Sequence, residues 1–369
     1  MKIVHVFRSP IGGIFRHVRD LLSQQSAAGH EVGIICDSKT GGDYEANLFE
    51  QIKPDLALGL HRIAIPRAIS PFDASALLNT YLKLRKIKPD VVHSHSAKGG
   101  IHGRLAAKLV STSAHPVKAF YCPHGGAMHY DANSLKGKLF FSAERFMERF
   151  TESLIFVSQY EADAYRDKVG EPRCPQAIIY NGISDEEFLP VQQKNGAADF
   201  LYIGMMRDLK GADVFLDAIS IAKHKSSKPV TAMFVGDGPD KEKYIDQIKR
   251  LGLEETVAVH PAMPAREAFA QADMVVVPSR AESLPYLVLE AIGGHMPVIA
   301  TNVGGIPEIF LESSNELVEP GNAEALAARM LEVLSYDNRS VRSQEAAKKL
   351  KKRFSLPVMA QGIEGIYNR

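Results

Sequence analysis

The sequence has only three cysteines, Cys36, Cys122 and Cys174, in 369 residues. They are far apart, odd in number and never spaced CxxC. That excludes a disulfide framework and the usual thiolate metal motifs, and it fits a reducing cytosol. Long hydrophobic runs are also missing: no window approaches the roughly 18 apolar residues of a membrane-spanning helix. The apolar run in the opening MKIVHVFRSP is broken by His5 and is too short for a signal peptide, so it reads as a first β-strand. Nor is one sign of charge in excess, since 44 Lys and Arg oppose 43 Asp and Glu. This balance is far from the dense basic face of a nucleic-acid-binding protein. There is no repeat of solenoid period and no low-complexity tract.

The chain is long enough for two domains, each with its own core. Its charge is unevenly spread. Residues 1–185 hold 23 Lys and Arg against 18 Asp and Glu, with ten of the 13 histidines, whereas residues 186–369 hold 21 against 25. A basic, His-rich front half suits an anionic partner or a membrane surface. Lys83–Lys88 (KLRKIK) and Lys136–Arg149, with Phe140, Phe141 and Phe146, could form a basic amphipathic face on anionic lipid. The plainer alternative is a solvated helix face with Glu144 and Glu148 interspersed.

Short apolar runs alternate with segments of helical periodicity. Ile3–Phe7, Glu31–Cys36, Val91–His93, Val117–Tyr121, Leu154–Val157 and Ala177–Tyr180 read as strands, with helices such as Phe15–Ala28, Ser75–Lys88 and Lys98–Leu109 between them. Gln192–Asp199 (QQKNGAAD) has the polar composition of an interdomain linker. Beyond it the alternation restarts, with strands at Phe200–Gly204, Thr231–Val235, Thr256–His260, Met274–Val277 and Val298–Ala300. The expectation is α/β: two doubly wound parallel sheets in series, with ligand-binding loops at the carboxyl ends of their strands.

Those loops carry the candidate chemistry. Gly12-Gly13 after the first strand could expose helix N-terminal amides to an anion, although the third glycine of a dinucleotide fingerprint is missing. His93 and His95, spaced HxH at a strand end, raise the question of zinc. No acid stands nearby and Lys98 would oppose a cation, so no metal is expected and the loop reads as acceptor-facing. His124, between Pro123 and Gly125-Gly126, is well placed to face a ligand. In the second half, Arg207 and Lys210 flank a helix N-terminus, where ordinary capping prefers acids. A diphosphate gives both cations a reason to be there. Gly236-Asp237-Gly238-Pro239 is a further strand-end turn. In AESLPYLVLE, residues 281–290, Glu282 falls in a loop and Glu290 two turns into a helix that opens near Pro285. Helix rise spaces their carboxylates about 10 Å apart, too far to attack one bond as a pair but suited to gripping hydroxyls at two ends of a ligand. A nucleoside diphosphate sugar has that polarity.

In order and spacing, Arg207…Lys210-Gly211, Gly236-Asp237-Gly238-Pro239, Glu282-x7-Glu290-Ala291, Pro297-Val298-Ile299-Ala300 and Gly304-Gly305-Ile306-Pro307-Glu308 resemble the retaining family 4 glycosyltransferases, and Asn181-Gly182-Ile183 and Gly12-Gly13 fit too. The resemblance implies a GT-B fold of two Rossmann-like domains facing across a cleft. An acceptor-binding domain would span 1–190, a nucleotide-sugar domain 191–355, and a helix at 356–369 would cross back to the first. It implies a metal-independent retaining hexosyl- or N-acetylhexosaminyl-transferase, with no cofactor beyond the nucleotide sugar. The acceptor would be a saccharide or a lipid-linked saccharide in polysaccharide, lipopolysaccharide or glycolipid synthesis. The location would be cytoplasmic, with a peripheral contact at the membrane's cytoplasmic face.

Carried over by position, His124, Glu282, Arg207 and Lys210 would be catalytic. The donor would be held by Gly12, Gly13, Arg207, Lys210, Gly236, His260, Glu282, Glu290 and the backbone of Leu284, Pro285, Tyr286 and Leu287, with the base near His260. The acceptor side would include His93, His95, Lys98 and Asn181. Where the family usually reads Glu-Gly-Phe-Gly, this sequence has Glu282-Ser283-Leu284-Pro285, and the proline removes one amide donor. An epimerase or phosphorylase on the same fold, or a sugar-nucleotide-binding protein without catalysis, are the alternatives.

Overall fold

A computed structural model describes residues 1–369, apart from the side chains of Ala127 and His129. The chain divides into two compact units, Met1–Asn181 with Leu356–Arg369, and Gly182–Ser355. The boundary therefore lies before Gly182, and the polar stretch 192–199 belongs inside the second unit. There Lys194 and Ala198 donate backbone hydrogen bonds to Ala270 and Gln271, which ties the stretch to the second sheet.

The first unit runs β1 (Lys2–Phe7), α1 (Gly12–Ala27), β2 (Glu31–Asp37), α2 (Asp43–Ile52), β3 (Gly59–Ile63), α3 (Phe72–Ile87) and β4 (Val91–His95). It continues with α4 (Ser96–Val110), β5 (Lys118–Cys122), α5 (Leu135–Met147), β6 (Ser153–Phe156), α6 (Gln159–Val169) and β7 (Gln176–Ile178). The strands form one parallel sheet in the order β3-β2-β1-β4-β5-β6-β7. Strand residues alternate between faces, and both faces are covered, which is why the central strands are buried on both sides and mostly apolar, with His5, His93 and His95 as buried exceptions. Val4, Val6 and Val92 pack with Ala76, Leu84 and Ala106 on one face, while Ile3, Val91 and Phe120 pack on the other.

The second unit runs β8 (Ala198–Ile203), α7 (Ala212–Lys225), β9 (Ala232–Val235), α8 (Lys241–Arg250), β10 (Val257–His260), α9 (Ala265–Phe269) and β11 (Ala272–Val277). Then follow α10 (Tyr286–Gly293), β12 (Val298–Ala300), α11 (Ile306–Phe310), α12 (Ala323–Leu334) and α13 (Arg339–Phe354). Its parallel sheet has the order β10-β9-β8-β11-β12 around a core that includes Phe200, Phe215, Phe234 and Met330. Pro285, extended at φ −75° and ψ 123°, caps α10, so this helix starts at Tyr286, just past the proline near which the sequence opens it.

The last helix, α14 (Leu356–Tyr367), belongs to the first unit. Its Met359, Ile363, Ile366 and Tyr367 are buried against Ile3, Leu21, Val91 and Phe120. Among the described residues, no helix is long and apolar enough to cross a membrane.

Candidate functional site

In each sheet the order of the strands reverses at one point, between β1 and β4 in the first unit and between β8 and β11 in the second. Helices leave in opposite directions there, opening a crevice at the strand ends. The loops after β8 and β11 carry Arg207, Lys210 and Glu282. Lys210 Nζ lies 2.6 Å from Glu282 Oε1, and Ser279 Oγ donates to the same oxygen at 2.8 Å. Sequence reasoning assigned Lys210 to a diphosphate and Glu282 to the sugar hydroxyls beside it; here the two form one ion pair.

Arg207 is exposed, and Asp208 does not hold it. Instead Arg280 donates to the Asp208 carbonyl at 2.7 Å and makes a fork onto both carboxylate oxygens of Asp213, at 2.8 and 2.6 Å. Arg280 and Ser279 had no spacing signal in the sequence, because their roles depend on a loop folding back onto the start of α7.

The glycines explain how these loops approach one another. Gly211, at φ +66°, would put a Cβ 2.0 Å from the Pro278 carbonyl oxygen, and Gly304, at φ +59°, would put one 1.7 Å from that of Glu282. Gly305 N–H donates to the Ser283 carbonyl at 2.8 Å. The loop after β12 is therefore seated directly on the backbone that carries Glu282. Gly236, at φ +146°, closes against Gly204 in the same way. His260 ends β10, partly exposed, and Glu290 is half-buried on α10. The first-turn amides of Tyr286 and Leu287 lie at the start of α10, where no intrahelical acceptor is available to them.

The first unit corrects the reading of His93 and His95. β4 extends to His95, so both are strand residues and fully buried rather than loop residues facing an acceptor. They share a face with His5, which pairs with His93 across β1 and β4. On α1, the spacing 17, 21, 25 turns His17, Leu21 and Gln25 toward the same face. Gln25 Oε1 lies 2.8 Å from His5 Nε2, His5 Nδ1 lies 3.0 Å from His95 Nε2, and His95 Nδ1 lies 3.0 Å from His124 Nε2. Gln25 Nε2 donates to Tyr367 Oη at 3.5 Å, and that hydroxyl meets His93 Nδ1 at 2.6 Å.

An amide oxygen only accepts, and a neutral imidazole has one donor and one acceptor. His5 must then donate from Nε2 to Gln25, His95 from Nε2 to His5, and His124 from Nε2 to His95. Burial keeps the whole set neutral. It pushes His5 and His17 down to about 4, and burial with the neighbouring imidazoles holds His93, His95 and His124 well below the usual histidine range.

His124 itself is only partly buried and sits in the left-handed region at φ +50°, ahead of Gly125 and Gly126. Such a conformation in a non-glycine residue is sustained only by its surroundings; here Gly125 N–H is held by Glu161 Oε1. Lys98 is taken up by Asp73, at 2.6 and 2.7 Å from its two oxygens. Asn181 Oδ1 accepts from His17 Nδ1 at 3.1 Å and is buried. Gly12, at φ +65°, begins α1 with open space around it. Sequence reasoning missed His5, His17, Gln25 and Tyr367. The available signal was the concentration of histidines in the first half together with the 17, 21, 25 spacing.

Comparison with known proteins agrees with this construction. Residues 11–187 match the model of Glycosyltransferase Family 4, and residues 184–350 match that of Glycosyl transferases group 1. An uncharacterized glycosyltransferase of Methanocaldococcus jannaschii is 26% identical, over all of this chain and 98% of the relative. The glycogen synthase of Mycobacterium tuberculosis is 24% identical, over 97% of this chain and 91% of that one. Among solved structures, Anabaena HepE in complex with UDP and glucose superposes with a TM-score of 0.82 at 18% identity, covering 100% of this chain and 99% of that one. The two family models together run from residue 11 to residue 350, and the chain belongs to the family 4 glycosyltransferases with the GT-B fold.

Proposed function

We propose that this glycosyltransferase moves a hexosyl or N-acetylhexosaminyl group from a nucleoside diphosphate sugar to a saccharide or lipid-linked saccharide, with retention of anomeric configuration. The product would be a polysaccharide, lipopolysaccharide or glycolipid. A saccharide acceptor is supported by the likeness to a glycogen synthase, and a nucleoside diphosphate donor by the likeness to a structure holding UDP and glucose.

The observation that carries this reading is the Lys210–Glu282 pair beside an exposed Arg207 at the switch point of the second sheet. Lys210 and Glu282 satisfy one another. A bound diphosphate would draw Lys210 onto its oxygens with the Arg207 fork, freeing Glu282 to accept from sugar hydroxyls. As the sugar–oxygen bond breaks, negative charge grows on the departing diphosphate, and two preplaced cations stabilise it in the role a metal ion fills elsewhere. In a front-face reaction the departing oxygen takes the acceptor's proton as the new bond forms on the side the leaving group vacates. Glu290 would hold the ribose, the His260 region the base, and the amides of Tyr286 and Leu287 would replace the donor lost at Pro285. On the first unit, His124 is the side chain proposed to act on the transferred sugar. A peripheral contact with anionic lipid is the part of this reading assigned to α3 and α5, whose outward stripes carry Leu78 and Leu82, and Leu135, Leu139 and Phe146.

Titration calorimetry against a panel of nucleotide sugars tests the proposal. One donor should bind, and Arg207→Ala and Lys210→Ala should each weaken it by about 10- to 100-fold, the range of a charge-assisted contact worth about 1.5–3 kcal/mol. Equal affinity in the variants would place the diphosphate elsewhere. The anomeric configuration of the first-formed product, read by NMR, decides retention.

A further inference from the structure

The first unit gathers His17, His95 and the proposed catalytic His124 into one cluster, of which the transfer reaction uses only His124. His17, His95 and His124 each present one ring nitrogen within 4.8 Å of the others. Their ring centres are 5.6 Å (His17–His95), 4.7 Å (His17–His124) and 5.2 Å (His95–His124) apart. Zinc–nitrogen bonds of about 2.0–2.1 Å in a tetrahedral set place imidazole centres about 5 Å apart. The rings thus stand at metal-site separations and need to turn rather than travel.

The hydrogen bonding prepares the lone pairs. His17 Nδ1 donates to Asn181 Oδ1, which leaves the lone pair on Nε2, and that nitrogen is buried without a hydrogen-bond partner. A buried polar atom left unsatisfied costs about 1–3 kcal/mol. His95 donates from Nε2 to His5, so its Nδ1 lone pair points out of the chain toward His124. Anchoring one ring nitrogen on a carbonyl or a neighbour so that the other faces a metal is how ligating histidines are ordinarily oriented. Lys98, the one nearby cation that the sequence set against a metal, is neutralised by Asp73. A second trio, His5, His93 and His95, is buried on every member, whereas His124 is partly exposed and gives an ion a way in.

We propose that His17 Nε2, His95 Nδ1 and His124 Nε2 form a binding site for a borderline divalent cation of the Zn²⁺, Co²⁺ or Ni²⁺ class, with water as the fourth ligand. Three neutral imidazoles without a carboxylate favour these ions over Mg²⁺ and Ca²⁺. On binding, His124 gives up the proton on Nε2 to solvent and takes one on Nδ1, so no net proton is released and all three ligands stay neutral. Occupancy removes His124 from the sugar, so the ion is an inhibitor of transfer. Only this last consequence rests on the role proposed above for His124.

Cobalt titration of the chelator-treated full chain tests the site. Wild type should take up one Co²⁺ with a tetrahedral visible absorption and no thiolate charge-transfer band, and Zn²⁺ should displace it while Mg²⁺ does not. His17→Gln and Asn181→Ala should each weaken Co²⁺ at least tenfold, and His124→Ala, on a partly exposed loop, should abolish the band. No visible band in wild type, or a band unchanged in His17→Gln and His124→Ala, overturns the site. In parallel, Zn²⁺ should slow sugar transfer in wild type, and a chelator should restore it. A normal cobalt spectrum with transfer indifferent to Zn²⁺ would keep the site and overturn its link to His124 in catalysis.

Discussion

Gly304 shows how much of the donor site depends on the absence of a side chain. Its φ of +59° and a Cβ position 1.7 Å from the Glu282 carbonyl oxygen leave no room for alanine, because the neighbour is backbone and cannot give way. Gly196 is a matched control at φ +78° with nothing within 4 Å. Gly196→Ala should cost only the left-handed strain, about 1–2 kcal/mol, and leave nucleotide binding intact. Gly304→Ala should cost more, lower the melting temperature further and weaken nucleotide-sugar binding by displacing Glu282. Equal melting temperatures and equal affinities in the two variants would show that the loop after β12 does not support Glu282.

At the scale of elements, α5 is the clearest departure from expectation. Glu144 and Glu148 do not lie on a solvated face. Glu144 accepts from the fully buried Arg104 at 2.7 Å and from Tyr121 at 2.8 Å, and the Arg104 guanidinium stacks 3.7 Å above the Tyr121 ring. Glu148 accepts from Arg145 and Tyr165. With the acids turned inward, the outward stripe of α5 is Leu135, Leu139 and Phe146, flanked by Lys136, Lys138 and Arg149, and α3 exposes Phe72, Leu78 and Leu82 near Arg85 and Lys86. Apolar anchors among cations fit the surface of an anionic bilayer. Full-length protein should co-sediment with vesicles containing phosphatidylserine and not with neutral ones. A Lys83/Arg85/Lys86/Lys88 charge reversal should cut binding by an order of magnitude or more, since each cation is worth about 1 kcal/mol at such a surface. Unchanged co-sedimentation of that variant would sink the lipid-docking reading.

For the whole molecule, the histidine cluster sets the response to acid. Burial puts the folded-state values of His5 and His17 near 4, against 6.5 when exposed, and His93, His95 and His124 are lowered as well. A group whose value is lowered on folding stabilises fully above pH 6.5, and that stability is lost as pH falls toward 4, because only the unfolded chain takes up the proton. Each such group contributes up to about 1.4 kcal/mol per pH unit within that window. Glu161 works the other way. Its carboxyl is raised by burial to about 7, so its contribution is lost as pH rises from 4.5 to 7. In the first unit Glu161 is opposed by these five imidazoles and by His61, His102 and Asp73, which are lowered too, so the lowered groups decide the sign. With chelator present, the urea midpoint of the first unit should fall steeply between pH 6.5 and 4.5, and a flat profile there would contradict the neutral, buried cluster.

The sequence by itself determined a great deal of this protein. Apolar strands alternating with amphipathic helices specify two parallel α/β sheets, because only strands covered on both faces can be apolar throughout. The positions of Arg207, Lys210 and Glu282 in strand-end loops and of Glu290 on the helix that follows were legible, since cations at a helix start and acids within an apolar run go against local preference. The half-buried edge strand β3 and the strongly basic α13 were not legible, because neither shows the apolar pattern that marks a buried element. What tertiary structure alone decided is which groups meet. It paired Lys210 with Glu282, gave Asp208 and Asp213 to Arg280, and turned Glu144 and Glu148 inward. It also carried α14 back so that Tyr367 and Gln25 join the histidines of β1 and β4. These partners lie tens to hundreds of residues apart, and local periodicity sets which face a residue takes but not which distant residue it finds there.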